Sequence, residues 1–101
     1  MRHRVRYSAR ALQDLERIYR YVARQSGNPD VALGYVERIR GACERLSHFP
    51  ERGMLRARLR PGLRIIGFER RVSIAFYVTS TDVLIARVAY RGRDLPADFR
   101  G

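Results

Sequence analysis

Any chemistry in this chain must be written mainly in arginine. All 21 basic residues are arginine, against 10 acidic ones, for a formal net charge of +11. A guanidinium stays protonated and holds carboxylates or phosphates in a two-pronged grip, but it cannot serve as a general base. The candidate contact residues lie in the second half of the chain: Arg56, Arg58, Arg60, Arg64, Arg87, Arg91 and Arg93, with Tyr77 and Tyr90 among them. A small domain carrying this much charge of one sign repels itself, which points to an anionic partner, either nucleic acid or an acidic protein segment. The plainer reading is a solvated surface, with Arg56, Arg58 and Arg60 guarding an exposed edge strand. Arg87 resists that reading. It interrupts the apolar run Val83–Val88, where a charge must be paired or reach water.

Other chemistries are poorly supplied. One cysteine, Cys43, allows no internal disulfide, and with His3 and His48 far apart in sequence it closes no zinc shell. No metal or other cofactor is expected. No apolar run approaches the ~18 residues of a membrane span, and the basic N-terminus is followed by no signal-like apolar stretch. The expectation is a single cytoplasmic domain over residues 1–101, with no membrane partner.

The elements that must position these arginines follow from periodicity. Arg4–Tyr7 is a short strand. Ser8 caps a first helix over about Ala9–Gln25, with Leu12, Leu15, Ile18, Tyr19 and Val22 as its apolar stripe. Gly27-Asn28-Pro29 ends that helix and starts a second, over about Pro29–His48, which buries Ala32, Tyr35, Val36, Ile39, Cys43 and Leu46. Four strands follow: Leu55–Arg60, Leu63–Phe68, Val72–Val78 and Val83–Tyr90. In the first of them, period two places the three arginines on one face and Leu55, Ala57 and Leu59 on the other. Turns at Pro61-Gly62, Glu69–Arg71 and Ser80–Asp82 separate the strands. The result is an α+β fold, β-α-α-β-β-β-β, in which a helical hairpin covers one face of a largely antiparallel sheet. The later strands are apolar on both faces, so the second face also needs a cover.

In this order and at this length, certain segments carry a family resemblance. They are Ala11–Ile18 with Tyr21–Ala23, then Leu46, Pro50 and Gly53, then Arg60–Arg64, Ile74–Val78 and Val83–Leu95. The chain resembles the RelE/ParE superfamily of type II toxin–antitoxin toxins, and most closely its ParE branch. The resemblance implies growth inhibition, plasmid stabilisation and a hetero-oligomer with a cognate antitoxin whose acidic C-terminal segment wraps the toxin. It implies DNA gyrase as the target, inhibited without chemistry of the toxin's own. The alternative is the RelE activity, a ribosome-dependent mRNA endoribonuclease. That reaction needs a base, an acid and positive charge at the phosphate. Arg58, Arg64 and Arg87 would supply the charge and Tyr90 the acid, since ribonuclease members carry a Tyr or His near that position. A base is hard to find: lysine is absent, and Glu51, Glu69, His3 and His48 have no motif reason to be there. ParE members often carry His where Tyr90 stands, so the target remains open on the sequence.

Overall fold

The computed structural model describes residues 2–58 and 60–90. Strand β1 (Arg4–Tyr7) leads into helix α1 (Ala9–Ser26), which turns back through Gly27 and Asn28 into α2 (Pro29–Glu44). A 3₁₀ turn (Arg45–Ser47) ends the hairpin, and β2 (Met54–Leu55), β3 (Arg64–Phe68), β4 (Val72–Val78) and β5 (Asp82–Tyr90) complete the sheet. The sheet order is β1-β5-β4-β3-β2, with β1 parallel to β5 and the other pairings antiparallel.

The caps explain why the hairpin bends where it does. Gly27 takes the left-handed conformation (φ 67°) and its N–H returns to the Ala23 carbonyl at 2.9 Å. Asn28 Oδ1 accepts from the Asp30 N–H at 2.9 Å, and Pro29 occupies the first helical turn without wasting a donor. Helix two ends four residues earlier than expected because its last turn tightens to 3₁₀, which still buries Leu46.

The first helix is rotated from the expected stripe. Leu12 is 47% exposed, whereas Ala11, Asp14, Leu15 and Ile18 are buried. The helix turns a carboxylate inward because β5 needs one. The β4–β5 register slips beside Ala75 and Phe76: Ala75 faces Arg87 but Phe76 faces Ile85, leaving Ala86 as an extra residue. On its other edge β5 loses its β1 partner after Ile85, and Ser8 with helix α1 takes over there. Ser8 N–H donates to the Ile85 carbonyl (2.9 Å) and Ser8 Oγ to the Ala86 carbonyl (2.8 Å), while the same Oγ accepts from Ala11 N–H as the helix cap (3.0 Å). Asp14 Oδ2 accepts from Val88 N–H at 2.8 Å and from Arg87 Nε at 2.9 Å, and its Oδ1 accepts from Arg87 Nη2 at 3.1 Å.

The Leu55–Arg60 strand does not form. After Met54–Leu55 the chain enters a loop: Arg56 N–H donates to the Leu63 carbonyl (2.7 Å), and the Arg60 N–H reaches the Arg56 carbonyl (3.2 Å). Turn bonds therefore outcompete the alternating pattern, and Arg56, Arg58 and Arg60 share no strand face. Leu59 lies outside the described residues. The loop closes on Leu63, fully buried against Ala75 and Ala89, with Ile65 and Tyr77 packed beside them. That small cluster is part of the cover the second sheet face required. The main core lies on the helix side, around Ile18, Ile39, Leu46, Ile74, Phe76, Ile85 and Val88.

Behind the sheet-facing side of α2, Tyr7 donates its hydroxyl hydrogen to Glu44 Oε2 at 2.8 Å, and the Arg40 guanidinium lies 4.8 Å from the Tyr7 ring centroid. Burial, then the bond to Glu44, pushes the Tyr7 phenol well above its ordinary range. Burial pushes the neighbouring Cys43 thiol from 9.0 up to about 12. A proton held more tightly in the folded than in the unfolded chain adds stability below the unfolded pKa and loses it as pH rises. The expected outcome is a urea midpoint that falls progressively as pH climbs above 9.0, toward the folded value of about 12. Denaturation at a series of alkaline pH values checks this; a midpoint that rises or stays level through that window would contradict the buried neutral thiol.

Candidate functional site

At the C-terminal end of β5 the helical hairpin and the β3–β4 turn enclose a cleft of about 350 Å³, lined by Val22, Asp30, Val31, Gly34, Tyr35, Arg38, Arg71 and Tyr90. Its floor is aromatic. The Tyr90 ring lies 5.4 Å from that of Tyr21 and 6.1 Å, edge to face, from that of Tyr35. Its rim is cationic. Arg71 lies beside Tyr90 on this rim, and that neighbour raises the already high arginine pKa. Arg38 stacks 5.3 Å from the Tyr35 centroid and pairs with Glu69 at 3.2 Å. Both central residues of the adjoining turn, Glu69 (φ 48°) and Arg70 (φ 63°), sit in the left-handed region without being glycine. Local strain of this kind costs about 1–3 kcal/mol per residue and persists where surrounding contacts hold it. The Arg38–Glu69 pair is one such contact. Two guanidinium groups over an aromatic floor suit an anionic or planar group from a partner.

The expected site residues scatter around this cleft rather than converge. Tyr90 lines it, 9% exposed. Arg87, also 9% exposed, points its Nε and Nη2 into Asp14, so the charge in the strand is resolved by an internal partner. Arg64 Nη1 donates to the Glu51 carbonyl at 3.1 Å, tying the link before β2 to the sheet. Tyr77 packs with Leu63 on the opposite sheet face from Tyr90. Arg56, Arg58 and Arg60 are exposed in the loop, and Arg91 and Arg93 lie outside the described residues. His3 and His48, far apart in sequence, come to line one cleft at the β1 end of the molecule. Among the described residues no group of three His, Cys, Asp or Glu side chains could hold a metal ion. Sequence reasoning missed Asp14, Arg38 and Arg71. Asp14 carried a signal: it stands three residues after Ala11 and four before Ile18, inside the buried stripe. Arg38 and Arg71 carried none among so many arginines.

A two-helix hairpin over a five-stranded sheet with this order is the RelE/ParE toxin architecture. The RelBE2 toxin–antitoxin complex of Mycobacterium tuberculosis shares it at 19% identity and a TM-score of 0.57, over 90% of this chain and all of that one. The chromosomal ParDE toxin–antitoxin system of P. aeruginosa superposes with a TM-score of 0.76 at 27% identity, covering 87% of this chain and 95% of the other. Toxin ParE3 of Caulobacter vibrioides is 36% identical over 75 residues, 74% of this chain and 73% of its own length. The family described as the ParE toxin of the type II toxin–antitoxin system, parDE, matches residues 5–95. The chain belongs to the ParE toxin family. No helix among the described residues is long and apolar enough to cross a membrane.

The cleft floor offers a test of its own. The Tyr35 hydroxyl oxygen is buried without a hydrogen-bond partner among the described residues, and burial raises its pKa. A buried polar group with no partner costs about 1–3 kcal/mol, so deleting it should not hurt. Tyr35→Phe is expected to leave stability unchanged or raise it by about 1 kcal/mol in urea unfolding. A loss of that size would show that the hydroxyl is bonded in solution.

Proposed function

We propose that this ParE toxin inhibits DNA gyrase by binding, and that a cognate antitoxin with an acidic C-terminal segment holds it inactive. The observation that carries the reading is the family match, which runs from β1 through the end of β5 and beyond it to residue 95. The ParE branch is the gyrase-directed branch of the superfamily. The surface assigned to the target is the end of β5, with Tyr90 and Arg71 at the cleft and Arg91 and Arg93 following in sequence.

A ribonuclease would need Arg58, Arg64, Arg87 and Tyr90 to meet one phosphate. Arg87 gives two donors to Asp14, and Arg64 gives one to a backbone carbonyl. That engagement favours a binding role over RelE-type cleavage.

The antitoxin is supported by relatives whose solved structures are toxin–antitoxin assemblies, and by the charge of +11. Carboxylates of an acidic segment would meet exposed arginines in bidentate pairs. Exposed apolar side chains such as Leu12, Leu33, Met54 and Leu55 would seat its amphipathic residues.

Purified gyrase from the same species tests the target. Added toxin is expected to abolish supercoiling and trap covalent gyrase–DNA cleavage complexes, and Tyr90→Ala with Arg71→Ala is expected to weaken inhibition by at least about tenfold. Full supercoiling in the presence of folded toxin would overturn the gyrase assignment.

A further inference from the structure

The opposite end of β5 carries a second cleft that the gyrase and antitoxin reading leaves unused. It measures about 610 Å³ and is lined by Arg2, His3, Arg4, Val5, Glu44, Arg45, Ser47 and His48. Two segments distant in sequence build it. The strand preceding α1 meets the 3₁₀ turn after α2, joined where His3 N–H donates to the Ser47 carbonyl at 2.9 Å. The His48 N–H folds back on the Arg45 carbonyl at 3.3 Å, and His3 Nε2 lies 3.0 Å from the Thr79 carbonyl oxygen. β1 pairs with the start of β5 (Arg4 opposite Asp82), whereas Tyr90 is its last residue. At the usual rise per strand residue the two clefts stand about 25 Å apart.

The charge balance in this cleft is one-sided. Among the described residues Arg2 and Arg45 have no carboxylate within ion-pair distance. Arg4 touches Asp82 only at 3.8 Å, with its side chain 74% exposed, and Asp82 is shared with Arg6 at 3.3 Å. The acidic lining residue, Glu44, is taken by the Tyr7 hydroxyl. Three arginines and two histidines thus line an open groove, with His3 Nε2 turned to the Thr79 carbonyl. A protein partner gains most of its affinity from apolar anchors seated in pockets. Among the described residues Val5 is the one aliphatic side chain of the lining. A sugar–phosphate backbone needs no such anchor: cations and N–H donors spaced along a groove suffice. The volume also exceeds what one free phosphate fills.

We propose that this cleft binds the phosphate backbone of a nucleic acid, without reading its sequence. The site is separate from the surface assigned to gyrase and does not depend on that assignment. It gives the toxin its own hold on DNA, localised in Arg2, Arg4 and Arg45 and assisted by His3 and His48.

Net charge alone would let any nucleic acid adhere, so the test compares two pairs of equal charge in the full chain. Arg2→Gln with Arg45→Gln removes two of the cleft's three guanidinium groups. Arg10→Gln with Arg24→Gln removes the same charge from the exposed face of α1. Binding of a short fluorescein-labelled DNA duplex is followed by anisotropy across a salt series, with circular dichroism confirming that both variants fold. The cleft pair is expected to weaken binding by at least about tenfold and to lower the slope of log affinity against log salt by about 2, while the α1 pair stays within about twofold of the parent. Equal losses from both pairs, or no loss from the cleft pair, would overturn the proposal by showing that binding follows net charge. A poly-glutamate peptide that binds more tightly than the duplex, with the same dependence on Arg2 and Arg45, would also overturn it and assign the cleft to an acidic protein segment.

Discussion

The carboxylate of Asp14 is the contact on which the rest of the structure depends. It is 2% exposed and accepts from two nitrogens of Arg87 and from the backbone N–H of Val88. Arg17 adds a partner at its solvent edge, 3.6 Å away. Withdrawing two charges from water costs several kcal/mol per ion, and the attraction between them repays this only with good geometry and saturated hydrogen bonding. Here the geometry is bidentate and the carboxylate has a further donor. Ser8, six residues earlier, holds the two preceding carbonyls of the same strand. Ser8 and the first turns of α1 therefore grip four successive residues of β5, Ile85 through Val88, at the point where the pairing with β1 ends.

That grip has consequences at both ends of the strand. The extra residue at Ala86 resets the alternation, so Ile85, Val88 and Tyr90 all reach the helix-side core. Tyr90 is thereby delivered to the aromatic floor between α1 and α2, beside Arg71. Toward the other end, β5 pairs in parallel with β1, and β1 brings His3 to the 3₁₀ turn. One strand and one buried ion pair thus fix the separation of two cationic clefts on a chain whose net charge would otherwise push its parts away from one another.

Much of this was legible in the sequence because local signals agreed with the fold. Asn28-Pro29 marked a helix start, Val72–Val78 a strand, and two helices followed by a run of strands the α+β class. The failures have physical causes. Leu55–Arg60 alternates as a strand should, yet Pro61-Gly62 offers the chain a turn whose hydrogen bonds begin at Arg56, and a two-residue strand is all that remains. Leu12 looked like a core residue because hydrophobicity alone set the helix phase; the true phase is set by a buried carboxylate, which periodicity counts as polar. Arg87 reads as a charge that needs an answer, but a partner 73 positions away cannot be read from spacing. Arg38 and Arg71 were hidden by abundance: with 21 arginines, residue type distinguishes none of them.

A double-mutant cycle on Asp14→Ala and Arg87→Ala, followed by urea unfolding of the parent, both single variants and the double variant, tests this account most directly. Each single change strands the other group, so each is expected to cost about 3 kcal/mol or more, and the double variant is expected to cost less than their sum by about 2 kcal/mol. Additive losses, with a coupling energy near zero, would mean that the two side chains do not hold each other and that α1 is fixed to β5 by packing alone.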